Sequence, residues 1–310
     1  MAKAKTRIDF MGKRTLALIL SLALIVISIG SLFVNGLNLG IDFTGGTSIE
    51  VRFAQDADLG DVRAALNEGG FDKAIVQHVD TSREVLIRIA PRPGEDSAEL
   101  SSQVLDLLRG SAEGTVEMRS VDFVGPQVGD ELRDRGGIAI LVALAGILLY
   151  VWVRFIHWGF SVGSVLALVH DVIITVGVFS ITGVSFDLTV LAAVLAVIGY
   201  SLNDTIVVFD RVRENFRMMR KGEPIEVINV SINQMLARTL VTSGTTLLVL
   251  IALLVFGGDN IFGFALALVV GIVVGTYSSI YIASNFLLTL GVTKQDLMPV
   301  EKEGEAEETP

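Results

Sequence analysis

The sequence predicts a polytopic α-helical membrane protein: six transmembrane helices, with one external α+β ferredoxin-like (βαββαβ) domain between the first and the second. Composition is the first reason, because 51% of the 310 residues are hydrophobic, 19% are charged and the mean hydropathy is +0.63. Such values are too apolar for an ordinary soluble domain. The other two reasons are six long apolar runs and the soluble composition of residues 36–135.

Each apolar run is long enough to cross the hydrocarbon core, which takes roughly 17 to 25 helical residues. The first run starts with basic residues, as a cleaved signal peptide does, but it is too long and no A-x-A-like cleavage site follows it. We therefore expect an uncleaved anchor. The predicted spans are 16–35, 136–153, 160–181, 188–209, 238–256 and 261–285.

The positions of Lys and Arg predict the orientation of the spans. Basic residues precede the first span, in 1–15, and recur in the loop 210–237, whereas the turns "TGVSFD" and "GGDN" contain none. Both termini are therefore expected in the cytoplasm. The second half of the 210–237 loop has amphipathic helical spacing, so we expect it to lie along the membrane interface near anionic lipid. The acidic tail, 291–310, is expected to be disordered.

Changes in hydrophobic period divide the external domain into six elements. Alternation of period two marks strands, and apolar residues at helical spacing mark helices. Asp58 is placed to cap the first helix and the Gly69-Gly70 pair to end it. The order β-α-β-β-α-β is that of the ferredoxin-like split βαβ fold. The predicted elements are a strand at 48–53, a helix at 59–68, strands at 74–79 and 84–89, a helix at 97–110 and a strand at 115–123.

The sequence contains no recognisable catalytic or metal-binding constellation. It has no cysteine, and its three histidines, His78, His157 and His170, are scattered along the chain. The stretch "GIDFTGG" lacks the Lys-Ser/Thr that a P-loop requires. We therefore expect no enzyme activity, metal, cofactor or nucleic-acid partner, and we interpret the external domain as a binding or mechanical element.

Ionisable residues within the spans are the candidate functional residues, because each costs roughly 2.5 to 3.5 kcal/mol on insertion. Asp171 follows His170 in the third span, Asp204 follows Asn203 in the fourth, and Arg238 opens the fifth. The alternative for Asp204 is that it leans toward the interface, and for Asp171 that it only bonds a helix partner. Adjacent helical residues are about 100° apart, so His170 is not expected to share the face of Asp171.

A polar stripe follows Arg238 along the fifth span. Thr242, Thr245 and Thr246 lie at i+4, i+7 and i+8 from it, so the four side chains share one helix face, which we expect to face Asp204 rather than lipid. If these spans are antiparallel neighbours, the guanidinium and the carboxylate lie at similar depth. The cation favours the charged carboxylate and burial favours the neutral acid, so small helix movements can load and release a proton.

Five motifs in order resemble SecF, a family of protein-export membrane proteins related to SecD in the resistance-nodulation-division superfamily. The resemblance extends from Asp9 to about Leu290 and includes no second set of six spans. The motifs are "GIDFTGGT" (40–47), "VGPQVGDEL" (124–132), "VHD" (169–171), "GYSLNDTIVVFDRVREN" (199–215) and "RTLVTSGTT" (238–246).

The resemblance implies a subunit of the Sec protein translocase accessory complex that uses the proton gradient to promote translocation across the bacterial plasma (inner) membrane. Its implied partners are SecD, the SecYEG translocon and exported preproteins, in addition to membrane lipid. It implies that Asp204 and Arg238 carry protons. The predicted site residues are Asp204, Arg238 and Asp171 as proton relay, Asn203, Ser201, Thr242, Thr245 and Thr246 as supporting polar groups, and Asp42, Gly45 and Gly46 as the external-domain motif.

The residues leave other functions open. One is a structural half-subunit of the same superfamily without its own proton path, whose buried polar groups serve helix packing. Another is an intramembrane aspartyl protease, in which Asp171 and Asp204 share a proton, although the "GxGD" setting is missing around both acids. A small-molecule exporter is disfavoured, because one small external domain leaves little room for a chamber. The coupling ion, H+ or Na+, is left open.

Overall fold

The computed structural model describes residues 8–79, 81–92, 97–112, 114–155, 158–219 and 223–291. His157 and the predicted acidic tail after Gly291 lie outside the described residues. The helices are α1 (Arg14–Val34), α2 (Ile41–Thr44), α3 (Leu59–Glu68), α4 (Ser97–Ser111), α5 (Pro126–Phe155), α6 (Trp158–Thr182), α7 (Leu188–Met218), α8 (Pro224–Phe256), α9 (Asp259–Ser278) and α10 (Ser284–Thr289). The strands are β1 (Gly46–Phe53), β2 (Ile75–Val79), β3 (Glu84–Ile89) and β4 (Val116–Val124).

Six helical segments of the described chain are long and apolar enough to cross a membrane, which confirms the predicted number of spans. A 3-10 turn (Met11–Lys13) leads into α1, and a π turn (Ser279–Ala283) joins α9 to α10 within the sixth span. The central helices are α6 and α7, which bury the largest share of their surface, while α1, α5 and α8 expose most of theirs.

Glycine allows α9 to pack closely against α7. A Cβ at Gly271 would lie 2.2 Å from a methyl carbon of Val197, and one at Gly275 would lie 3.0 Å from Cβ of Ser201. Small residues at such positions let two helix backbones approach. This close approach accompanies a hydrogen bond from Ser278 of α9 to a buried acid of α6, Asp171, which is described below.

Several helices extend beyond the apolar runs. The helix of the second span begins at Pro126 rather than 136, and the helix of the fourth continues to Met218 rather than 209. Residues 224–237, expected as a separate interfacial helix, are the first turns of α8, with Ile228 and Ile232 buried in the bundle. Hydropathy predicts which part of a helix contacts lipid, but it does not predict where the helix begins or ends. Pro224 is the first residue of α8, a position to which proline is suited.

The external domain has the predicted ferredoxin-like fold. Its four antiparallel strands are ordered β2-β3-β1-β4, and each strand and helix lies within about two residues of its predicted position. Ile49 of β1 pairs with Ile87 of β3, and both pack in the core beneath α3 and α4 with Val104 and Leu108. Asp58 caps α3 as predicted, accepting a hydrogen bond from the Gly60 N–H at 2.6 Å.

Candidate functional site

Asp204 lies inside the bundle on α7 and is 3% exposed. It does not lean out to the interface, because Thr205 and Val208 beside it are also buried. One hydrogen bond reaches its carboxylate from a described side chain: the Ser243 hydroxyl of α8 donates to Oδ2 at 3.3 Å. Asp204 is therefore shielded from lipid but only weakly held.

Ser243 connects Asp204 to the sixth span. Thr276 of α9 donates to the Ser243 hydroxyl oxygen at 2.8 Å, so a chain of two hydroxyls runs from α9 through α8 to the carboxylate on α7. Neither hydroxyl was among the predicted site residues. Ser243 stands in the motif "RTLVTSGTT", next to the threonine stripe, and its position relative to Asp204 depends on how α7 and α8 pack.

The polar stripe does not face Asp204, and this expectation is wrong. Arg238, Thr242 and Thr245 are exposed on the outer face of α8, and Thr246 is half-buried, where its hydroxyl oxygen accepts a bond of 3.3 Å from Tyr200. Successive helical residues are about 100° apart, so turning Ser243 toward α7 turns Thr242 away from it.

The predicted pair of Arg238 and Asp204 is not a direct ion pair, although both residues lie in the described part of the chain. Arg238 is exposed and the Asp204 carboxylate is buried, and their charged atoms are not within 4.0 Å of each other. Asn203, which was predicted to support the site, is exposed. Arg238, Asn203 and the stripe therefore form a polar outer face on α7 and α8, next to the buried acid.

Asp171 on α6 is fully buried, with an exposed fraction of 0%. Ser201 of α7 donates to its Oδ2 at 2.6 Å, and Ser278 of α9 donates to the same oxygen at 2.8 Å. The predicted supporting residue Ser201 therefore serves Asp171 rather than Asp204. These contacts tie three spans together around one carboxylate.

His170 contacts Asp171 although the two are sequence neighbours. Its Nδ1 lies 2.8 Å from Asp171 Oδ1, so the expectation that helix faces separate them is wrong. The imidazole is long enough to reach across the angle between adjacent positions, and its ring stacks on Tyr277 with a centroid separation of 6.4 Å. Its Nε2 is buried without a hydrogen-bond partner among the described residues.

The two acids do not form a dyad. Among the described residues, each carboxylate has its own hydroxyl donors: Ser201 and Ser278 for Asp171, and Ser243 for Asp204. An aspartyl protease needs two carboxylates close enough to share one proton. This geometry disfavours that hypothesis.

The external motif lies against the outer end of α7. Asp42 Oδ2 accepts a hydrogen bond of 2.9 Å from the Leu188 N–H in the first turn of that helix. Gly45 and Gly46 have φ of +67° and +116°, a region that favours glycine. A Cβ at Gly45 would also lie 2.8 Å from Cα of Pro126 at the start of α5. The motif is therefore a closely packed connection between the external domain and two membrane spans.

Family models match most of this chain. The C-terminal model of the protein export membrane proteins SecD/SecF matches residues 103–293, and the SecD/SecF GG motif model matches residues 30–57. The chain belongs to the SecD/SecF family. The first match contains both buried acids, and the second contains Asp42, Gly45 and Gly46.

Full-length relatives assign the chain to the SecF side of the family. It is 53% identical to the protein translocase subunit SecF of Pseudomonas aeruginosa over 304 residues, which cover 98% of each chain. It is 54% identical to that of Vibrio alginolyticus, covering 97% of this chain and 96% of the relative. With Escherichia coli O157:H7 SecF it shares 44% identity, covering 96% and 92%. These SecF relatives are transport components, subunits of a protein translocase.

Solved structures of SecDF share this fold. The crystal structure of SecDF from Thermus thermophilus, described as a translocon-associated membrane protein, is 41% identical with a TM-score of 0.83. A SecDF structure in a super-membrane-facing form is 40% identical with a TM-score of 0.68. In both, the match covers 94% of this chain and 39% of the SecDF chain. The chain is therefore equivalent to one part of the longer SecDF polypeptide.

Proposed function

We propose that this chain is the SecF subunit of the Sec translocase accessory complex and that it uses the proton gradient to promote protein translocation across the bacterial plasma membrane. Its partners would be SecD, the SecYEG translocon, exported preproteins and membrane lipid. Both termini would lie in the cytoplasm and the external domain in the periplasm. The family membership, the six spans and the distribution of Lys and Arg support this proposal.

One observation carries the proton step: Asp204 is buried in a spanning helix and has a single hydrogen bond, of 3.3 Å, from a described side chain. A charge in that position is costly, so protonation changes the free energy of the surrounding helix packing. The Ser243 hydroxyl donates to the carboxylate and so supports its charged form. A carboxylate with few fixed partners can move between the two forms as α7 and α8 shift.

The polar outer face of α7 and α8 supports SecD as the partner. Asn203, Thr242 and Arg238 are exposed on these spans, where lipid is an unfavourable neighbour for them. A second six-span half packed on this face would bury them beside Asp204. Transporters of repeated halves commonly place their sites at such an interface. Arg238 would then complete the relay from the boundary between the two halves.

Asp171 is assigned a supporting role in this proposal. The bonds from Ser201 and Ser278 hold α6, α7 and α9 together, and the neighbouring His170 adds a third contact, so exchange of a proton at Asp171 would require several bonds to break. These contacts favour a packing role for Asp171, of the kind that the hypothesis of a structural half-subunit gives to all buried polar groups. In this proposal, Asp204 alone carries the proton.

The test is proton flux through the SecD complex in liposomes, together with export of a periplasmic reporter in cells. Asp204→Asn preserves the size and the hydrogen-bond acceptor of the side chain but removes its ionisation, so both flux and export should fall to background. Ser201→Ala, which alters the other acid's contacts, is the matched control and should keep both. Unchanged proton flux in Asp204→Asn would leave the structural half-subunit as the better account.

A further inference from the structure

Residues 38–45, here called the junction segment, join α1 to β1 and run across the outer end of α7. Asp42 Oδ2 accepts the Leu188 N–H bond at 2.9 Å, while Asp187 of α7's own N-cap accepts from Val190 at 2.9 Å. Two carboxylates thus cap one helix, and only Asp42 comes from another part of the fold. Negative charge at a helix N-terminus is stabilising because it complements the helix dipole.

Backbone contacts add to this cap. The Gly40 N–H donates to the Phe186 carbonyl at 2.8 Å, and the Phe186 N–H donates to the Asn38 carbonyl at 2.8 Å. Leu39 and Phe186 form a parallel β-bridge. The junction segment and the turn before α7 therefore form one short piece of sheet, and the Asp42 side chain adds the contact with the first turn of the helix itself.

The external sheet holds the other side of the junction segment. Arg88 of β3 is 6% exposed and donates from Nη1 to the Leu39 carbonyl at 2.9 Å and from Nη2 to Gln77 Oε1 at 3.1 Å. Burial lowers the pKa of the Arg88 guanidinium from its ordinary value, and the nearby Asp187 carboxylate acts in the opposite direction. The guanidinium thus lies between the external sheet and the end of α7.

Glycine contacts fix the far end of the segment. A Cβ at Gly129 in the first turns of α5 would lie 2.7 Å from the Gly45 backbone N, so the backbones of these two segments are in contact. Any side chain at either position would separate them. The external domain is therefore attached to α5 by backbone contact as well as to α7.

We propose that the junction segment is a rigid mechanical link through which movement of α7 is transmitted to the external domain, with Asp42 as the positioning residue. Asp204 lies sixteen residues along α7 from Leu188, about 24 Å of continuous helix. A helix of that length moves as one body, so a tilt at the acid displaces the capped end and the sheet attached to it. This inference rests on the proposed function, because it assigns the output of the proton step.

The first test separates coupling from proton movement. In Asp42→Ala, loss of a cap of typical strength lowers the population of the intact contact by about fivefold, and export should fall by a similar factor. Proton flux through the reconstituted SecD complex should stay within about twofold, as for a change away from the relay. Asp42→Asn keeps an oxygen that can accept the Leu188 N–H and should restore most of the export.

Asp58→Ala is the matched control, since it removes a cap of the same kind from α3, away from the junction. Its export should stay close to wild type. The proposed link is contradicted if the Asp42→Ala variant supports as much export as the Asp58→Ala variant. It is also contradicted if proton flux and export fall together in Asp42→Ala, because that result indicates a misplaced α7. A different result would contradict the proposed function, namely unchanged proton flux and export in the Asp204→Asn variant.

The second test locks the contact. The chain has no native cysteine, and a Cβ at Gly40 would lie 3.1 Å from the Asp187 Cβ, close to the roughly 3.5 to 4.5 Å of a disulfide. Gly40→Cys with Asp187→Cys should therefore oxidise, which a gel shift after thiol labelling would detect. A rigid link predicts equal export by the oxidised and reduced forms of this variant. Loss of export on oxidation alone would show that the contact must open, and would overturn the proposal.

Discussion

Asp171 and Asp204 lie in the same bundle at almost the same exposure, 0% and 3%, but their surroundings differ. Asp171 has three partners at 2.6 to 2.8 Å, whereas Asp204 has one described partner at 3.3 Å. Burial alone therefore does not distinguish the two acids. In the proposed mechanism, the number of fixed hydrogen bonds separates the two acids: Asp171 holds helices together, and Asp204 changes its protonation.

The largest expected effect is on stability, at Asp171. Asp171→Ala leaves Ser201, Ser278 and His170 without a shared acceptor, so we expect a loss of about 3 kcal/mol in the free energy of unfolding. Asp204→Ala removes one long bond and should cost about 1 kcal/mol. Denaturant unfolding of the purified chain in detergent measures both. Equal losses would remove the distinction between the two acids.

A matched pair of serines tests the same comparison on a smaller scale. Each serine donates one hydroxyl to one acid: Ser201 to Asp171 at 2.6 Å and Ser243 to Asp204 at 3.3 Å. Ser201→Ala should lower stability by about 2 kcal/mol and keep export, because it weakens packing only. Ser243→Ala should lower stability by about 1 kcal/mol but reduce export clearly. The reverse ranking in the export assay would contradict the assignment of roles.

The smallest effect on the isolated chain is expected at Arg238. Because this side chain is exposed and has no direct ion pair with Asp204, Arg238→Met should change the stability of the chain by no more than about 0.5 kcal/mol. The exposed Arg133 of α5 provides the control substitution, Arg133→Met. Arg238→Met should nevertheless abolish proton flux in the SecD complex, which Arg133→Met should not. A large destabilisation of the chain alone would indicate that Arg238 already acts within this half.

Much of the fold was predictable, because it depends on periodic patterns. Apolar runs long enough to cross the membrane predicted the six spans, and alternation around Ile49 and Ile87 predicted strands of a ferredoxin-like domain. Both predictions were confirmed. Helix ends were predicted less well. Residues 126–135 and 210–218 are polar enough to leave the membrane, yet both stretches continue the helices of the second and fourth spans. Hydropathy and helicity are different properties, and only the first was read from composition.

The site was predicted by residue type but not by contact. Asp204 and Asp171 stood out because a carboxylate inside a span is costly, and that signal needs no structure. Ser243 was missed because its direction depends on how α8 is rotated against α7. The contact of Asp42 with Leu188 joins residues 146 positions apart, and no local pattern predicts it. Rotation and distant capping both require the packed chain.

The π turn has a consequence for anyone who redesigns this chain. A π turn contains more residues than the α-helical turn it replaces, and each added residue rotates the remainder of the helix by about 100°. A helical wheel drawn through Ile261–Thr289 as one regular helix therefore assigns wrong faces to its last third. An idealised replacement without the π turn would rotate Asn285 and Leu287, now 8% and 1% exposed, out of their present packing.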